Sequence, residues 1–256
     1  MEDYLVSLGI TPVAQTVIGS FSLQYLQPHI GHLPKLDTSA IDFEAALEAQ
    51  PDLILLAFPS YAGEGKYEKF SKVAPTYVFG SDAPEQWREV LLTVGKLTGR
   101  EEKAKQVLAD YESKANKAKQ QLAQALGDET VALIRVRSDK ELRLYGGPGG
   151  YAGNVLYKDL GLNPPEIVKK LAWGDNGSMA VISQEVIPEL DADHLFITYD
   201  NGGQEKAQEI MGSSLWQSLP AVQKGQVYEV NLDHWMTYGP VAYNKKVDDV
   251  LQALVK

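Results

Sequence analysis

Three of the chain's five arginines, Arg135, Arg137 and Arg143, fall within nine positions of the segment VALIRVRSDKELRLYGGPGGYAG (131–153), in a protein of net charge −10. Arg135 and Arg137 flank Val136, so on a strand they share one face, with Cβ atoms about 7 Å apart. Two guanidinium forks at that spacing suit one multivalent anion, because each can donate paired hydrogen bonds to carboxylate-like oxygens. An alternative reading makes them exposed arginines of an edge strand, with SDKE as a hairpin turn and Asp139 or Glu141 as ion-pair partners. Aromatic residues recur in loops after the strand-like runs: Tyr61 in FPSYAGEG, Tyr145 and Tyr151 around the glycines, Trp173 in LAWGDNG, and Trp235 and Tyr238 in DHWMTYGP. Such faces suit the organic body of a small molecule, and their recurrence in both halves predicts that they line a ligand cleft.

Other chemistries find less support. The chain has no cysteine, which removes thiolate metal sites, disulfides and a cysteine nucleophile. His29 and His32 in PHIGH stand three apart, but no HExxH accompanies them, and His194 sits at the entry to an apolar strand. There is no G-x-S-x-G elbow, so no catalytic residue is assigned and an enzyme is not expected. Gly147, Gly149 and Ala152 fit G-x-G-x-x-A, yet Pro148 lies inside the match and the preceding strand reads as one arm of a hairpin. A glycine loop that admits a bulky ligand, or a merely flexible loop, fits equally well. The acidic balance and the lack of a basic stripe argue against nucleic acid as a partner. No apolar run is long enough to span a bilayer, and MEDYLVSLGITPVAQT is not a secretory leader.

The elements that must position these residues follow from periodicity. Short apolar runs at 53–58, 76–79, 131–136, 195–199 and 227–230 predict strands, and helical patterns lie between most of them, as in parallel α/β sheets. Thr98-Gly99-Arg100-Glu101 reads as a capping box. Behind it, Ala104, Leu108, Tyr111, Ala115, Ala118, Leu122 and Ala125 recur in steps of four and three. This predicts one amphipathic helix from about Gly99 to Leu126, roughly 40 Å long and too long for a single lobe. At an offset of 141, FEAALEAQPDLILLAF (43–58) superposes on QEVIPELDADHLFITY (184–199), matching Glu44 with Glu185, Glu48 with Glu189 and Asp52 with Asp193. The expected fold is therefore α/β, with two Rossmann-like lobes joined by one long α-helix and a ligand cleft between them. The lobes are placed at 1–98 and 127–256, with the connecting helix at 99–126. A single rigid connector implies only modest closure on ligand.

The phrases LGITPVAQ, IDFEAALEAQPDLILL, YEKFSKVAPTYVF, VGKLTGREEKAKQVLADYE, LYKDLGL, MAVISQEVIPELDADHLFI and WQSLPAVQKGQVYEVN, in this order, resemble the iron(III)–siderophore substrate-binding proteins of bacterial ABC transporters. The resemblance covers essentially the whole chain. It implies a non-enzymatic protein outside the cytoplasm, periplasmic or lipid-anchored at the outer face of the membrane, that hands a ferric siderophore to a permease dimer. A monomer is expected, with no cofactor of its own, since the siderophore already holds the iron. Relative to that family, the usual first strand, signal segment and anchoring cysteine are missing ahead of EDYLVSLGI, so a trimmed form with an N-terminal lobe short of one element is expected. The glycine segment GGYAG also carries Ala152 where hydroxamate binders often have an arginine. With Arg135 and Arg137 supplying the charge, the pattern is closest to members taking citrate-based or mixed citrate–hydroxamate siderophores, although carboxylate and hydroxamate types both stay open. The ligand-binding residues expected are Arg135, Arg137, Tyr145, Tyr61, Trp173, Trp235 and Tyr238, with Glu44 and Glu185 as the permease-docking pair. Receptors for haem, cobalamin or free metal, or an α/β enzyme acting on an iron complex, are the competing classes.

Overall fold

The computed structural model describes residues 1–19, 21–38, 42–139, 141–147 and 149–255. The chain divides into two compact units, one built from Met1–Tyr111 with Tyr238–Ala242, the other from Glu112–Thr237 and the residues from Tyr243 onward. The boundaries differ from those read in the sequence, because the long helix Glu101–Leu126 is itself shared. Its apolar stripe is continuous: Ala104, Tyr111, Ala115, Ala118 and Leu122 are all buried. A continuous stripe does not record which stretch packs on which unit.

The start of that helix corrects the expected capping box. Thr98 closes the preceding helix, Trp87–Leu97, and its hydroxyl donates back to the Val94 carbonyl at 2.7 Å. Gly99, at φ +66°, takes the left-handed position that a side chain would resist. Arg100 N–H then reaches Gly95 O at 2.6 Å and Gly99 N–H reaches Lys96 O at 3.3 Å, the paired bonds of a Schellman stop. The four residues therefore end one helix before the next begins at Glu101. At the far end Leu126 is buried in place of the expected Ala125, a drift of one position along the stripe.

The first unit carries two parallel strand pairs, β1 (Gln15–Val17) with β2 (Lys35–Asp37), and β3 (Ile54–Leu56) with β4 (Thr76–Val78). Sequence reading finds β3 and β4. It misses β1 and β2, whose residues QTV and KLD form no apolar run. The N-terminal segment is well anchored: Glu2 accepts from the Thr16 amide at 2.7 Å, and Tyr4 is 1 % exposed. Asp3 accepts from the amides of Val241 and Ala242 at 2.8 and 2.9 Å and from the Tyr25 hydroxyl at 2.8 Å. It thereby satisfies orphan donors at the start of the helix Pro240–Leu254.

The second unit is built on five strands in the order β7-β6-β5-β8-β9: β5 (Val131–Val136), β6 (Leu142–Tyr145), β7 (Met179–Ile182), β8 (His194–Tyr199) and β9 (Val227–Glu229). β5, β8 and β9 run parallel, while β6 turns back antiparallel to both β5 and β7. Leu133, Ile134, Leu195 and Phe196 are fully buried, as a central sheet covered on both faces requires. The internal repeat survives folding. Helix Phe43–Glu48 and the 3₁₀ helix Gln184–Glu189 stand at the offset of 141 at both ends, and β3 maps into β8. The second copy winds as 3₁₀ with Pro188 inside it, which has no N–H to give to an α-helical ladder.

The C-terminal helix also holds a polar anchor. Asp249 Oδ2 accepts from Trp235 Nε1 at 2.7 Å and pairs with His234 Nε2 at 2.6 Å. Burial by itself would raise the Asp249 carboxyl, but these two bonds and the neighbouring positive groups outweigh it and hold the group below its ordinary 3.8. A depressed folded-state pKa stabilises above the unfolded value and is lost as pH falls through the folded one. Asp249→Asn is accordingly expected to destabilise the protein at neutral pH, with the gap to the parent narrowing below pH 3.8. Urea titrations at several pH values check this; a gap that stays constant down to the acid end would exclude the carboxylate as its source.

Candidate functional site

The carboxyl ends of β5 and β8 lie side by side, and in open α/β sheets ligands gather beyond strand ends of this kind. Register places Arg135 opposite Thr198 on one neighbouring strand and opposite Arg143 on the other, so the three residues share one face of the sheet. Arg137 lies one residue beyond β5, where its amide donates to Glu141 O at 2.9 Å and holds the hairpin. The cluster foreseen from sequence therefore forms, but with carboxylates built into it. Asp200, the residue after β8, accepts from Arg135 Nε at 2.7 Å and lies 2.6 Å from Nη2. Arg143 Nε donates to Glu141 at 2.5 Å. Arg137 Nε, by contrast, makes no hydrogen bond among the described residues, and Asp139, Glu141 and Asp200 stand 3.8–3.9 Å from it.

Burial alone would lower the Arg135 guanidinium, but its bonds to Tyr145 and Asp200 hold it above its ordinary value. It stays charged at any physiological pH. The two arginines read as an equivalent pair are thus unequal. Arg135 is fastened in place, while Arg137 has a side chain 30 % exposed and a buried Nε without a hydrogen bond among the described residues. The Thr198 hydroxyl, fully buried beside Arg135, also has no hydrogen-bond partner among the described residues.

Two expected ligand contacts are corrected. Trp235 is 0 % exposed, its ring 5.1 Å from that of Phe196 and its N–H on Asp249, so it belongs to the core. Tyr145 is 5 % exposed, and its hydroxyl accepts from Arg135 Nη1 at 3.4 Å, so it supports the arginine and presents no open ring. Trp173 is half-buried against Tyr157 at 5.2 Å. In the first unit, Tyr61 and Tyr238 both pack on Phe58, at 6.3 and 6.0 Å, in a half-exposed aromatic cluster at the end of β3. Phe58 was missed as a member of that cluster because it reads as the end of an apolar strand. Asp200 was missed as well, although its place directly after the strand parallel to β5 was the available signal.

The glycine segment does something other than bind a nucleotide or flex. A Cβ on Gly146 would lie 2.0 Å from the Ala172 carbonyl oxygen, and one on Gly153 would lie 1.9 Å from that of Gly146. The glycines let three backbone stretches touch. Pro148 lies outside the described residues. The helix that follows, Gly150–Gly153, has only four residues, and the strand before it pairs antiparallel, so no dinucleotide unit is formed. Among the described residues no group of three or more His, Asp and Glu side chains gathers as a metal site. His194 is held between Glu129 at 2.7 Å and the Tyr228 hydroxyl at 3.3 Å. His29 and His32 lie on and just after the short helix Gln27–Ile30. Glu44 and Glu185 are both exposed, each in the first turn of its copy of the repeated helix.

Two α/β units sharing one long helix, with a charged edge at the parallel strand ends, are the architecture of a bacterial solute-binding protein, and the chain belongs to the periplasmic binding protein family, which it matches over residues 5–232. It is 31 % identical to the iron(3+)-hydroxamate-binding protein YxeB of Bacillus subtilis, over 95 % of this chain and 76 % of that protein. Identity is also 31 % to the "probable siderophore-binding lipoprotein" YfiY of the same organism, over 97 % of this chain and 78 % of the relative. Among solved structures, a FhuD-fold binding component of a Fep/Fec-like ferrichrome ABC transporter from Bacillus subtilis superposes with a TM-score of 0.84, at 26 % identity, covering 99 % of this chain and 93 % of that one. No described helix is long and apolar enough to cross a membrane.

Proposed function

We propose that this protein captures a ferric siderophore of citrate–hydroxamate, carboxylate or hydroxamate type and delivers it to an ABC permease dimer for iron uptake. The observation that carries this reading is Arg137, a guanidinium at the carboxyl edge of the sheet whose side chain is 30 % exposed and whose buried Nε makes no hydrogen bond among the described residues. The names of the relatives, an iron(3+)-hydroxamate-binding protein and a "probable siderophore-binding lipoprotein", point the same way. The siderophore already fills the iron's coordination sphere, so the protein's part is to donate hydrogen bonds to ligand oxygens and to offer ring faces to its organic backbone. Tyr61, Tyr238 and Trp173 are the rings we assign to that task. The protein acts by binding rather than catalysis and as a monomer. Its place is outside the cytoplasm, periplasmic or held at the membrane's outer face by a lipid, as the lipoprotein relative suggests.

Arg137→Ala is expected to weaken binding of the preferred ferric siderophore by roughly tenfold to a hundredfold, the loss of one charge-assisted bond at about 1.5–3 kcal/mol. The melting temperature should move little, because the ion pairs of this side chain among the described residues stand no closer than 3.8 Å. Calorimetry and tryptophan quenching against a panel of ferric siderophores, with haemin, cobalamin and free ferric ion as controls, provide the test. Affinity unchanged in the variant would remove Arg137 from the site. Tight binding of a control in place of every siderophore would overturn the function.

A further inference from the structure

Asp200 takes both Nε and Nη2 of Arg135 on one oxygen, at 2.7 and 2.6 Å, while its other oxygen lies 3.9 Å from Arg137 Nε. The Arg135 and Asp200 side chains are only 16 % and 15 % exposed, so water screens the pair weakly. Arg143 is held by Glu141 through its Nε, at 2.5 Å. Among the described residues, this edge sets three guanidiniums, Arg135, Arg137 and Arg143, against three carboxylates, Asp139, Glu141 and Asp200. The cluster that promises an anion clamp in the sequence is therefore balanced among the described residues. A carboxylate-rich ligand would have to break the Arg135–Asp200 pair or place its own charge beside Asp200, and like charges so close repel in a partly desolvated site.

We infer that Asp200 is a specificity-determining residue, neutralising Arg135 so that the site favours ferric complexes without net negative charge over citrate-type polyanions. This rests on the ferric-siderophore reading above. The chemistry of the ligands separates the two groups. Three hydroxamates carry three negative charges and balance iron(III), whereas citrate brings more carboxylates than the metal neutralises. Arg137 remains available to a single hydroxamate or carbonyl oxygen in either case.

Asp200→Asn keeps the shape of the side chain and removes its charge. Calorimetric titration of parent and variant with ferrichrome, as the neutral complex, and ferric dicitrate, as the anionic one, tests the inference. The parent should prefer ferrichrome. In the variant the ratio of the two dissociation constants should shift toward ferric dicitrate by about tenfold, a typical size for an interaction between neighbouring charges. The double variant Asp200→Asn with Arg135→Gln should return the ratio toward that of the parent, because it removes the arginine that Asp200 had neutralised. Binding of both complexes with an unmoved ratio would overturn this inference alone. Failure of the parent to bind any ferric siderophore would overturn the functional reading and this inference with it. Should Asp200→Asn not fold, a parent that prefers ferric dicitrate, or whose preference for ferrichrome is unmoved by salt, decides against the inference, and one whose preference for ferrichrome narrows as salt is raised supports it.

Discussion

Changing Glu44 and Glu185 together to arginine is expected to abolish transporter-dependent iron uptake while ferric-siderophore affinity stays within about twofold of the parent, since rim charges chiefly orient a partner. Both glutamates are exposed, and they occupy equivalent turns of the repeated helix. In the first copy the helix start is served by Asp42, which accepts from the amides of Glu44 and Ala45 at 2.9 and 3.3 Å. The Glu44 carboxylate is thus free of the capping duty that would otherwise explain it. Glu185 lies in a 3₁₀ helix whose N-cap, Ser183, makes no side-chain cap bond. Dipole stabilisation at such short helices is worth a few tenths of a kcal/mol to about 1 kcal/mol, so the double variant should fold. Uptake is measured with radio-iron in cells depending on this protein, with its surface level confirmed. A normal rate would end the docking role and leave both residues as helix-start charges. Intact uptake in each single variant but none in the double would show that the two act together.

Trp235→Ala is expected to cost about 3–5 kcal/mol, the usual range for deleting a fully buried aromatic side chain. That is a large part of the 5–15 kcal/mol by which a domain is ordinarily stable. The loss has two parts: a cavity beside Phe196, and Asp249 left without its indole donor. Trp235→Phe should separate them, keeping most of the packing and giving up the hydrogen bond for about 1–2 kcal/mol. Urea unfolding provides the measurement. Siderophore affinity should persist in the phenylalanine variant; a large loss of affinity with stability intact would return Trp235 to the ligand site.

Why Trp235 reads as a ligand contact is instructive. In the sequence it stands in a short polar stretch, DHWMTYGP, and no periodicity there signals burial. Its partner Phe196 is remote in sequence, and the packing of the segment on β8 and beside Asp249 of the C-terminal helix closes the indole off from water. Tyr145 misleads in the same manner, because alternation along β6 predicts which face it takes but not what covers that face. Among the missed strands, β7 (MAVI) is a short apolar run that sequence reading passes over, whereas β1 and β2 have another cause. β1 and β2 are three residues each and gain their identity from pairing with one another, not from apolar runs of their own. The capping box at Thr98 fails because the same four residues can start one helix or stop another, and the glycine at +66° belongs to a stop.

What the sequence by itself determined was whatever rests on local pattern. The five strands it marks all form, since runs such as VALIRV and LFITY are long and apolar enough to demand burial. The connecting helix is present to its C-terminal residue, since a stripe in steps of three and four has one regular solution. The repeat at 141 residues also holds, because helix and strand copy the same residue types at the same places. Tertiary structure alone decided how the arginines are used. Arg135 and Asp200 are 65 residues apart, and their pairing depends on β5 and β8 running parallel in one register. Charge along a sequence adds up by composition, but charge in a site depends on which carboxylate the fold brings within hydrogen-bond distance, and that distance is set by the sheet.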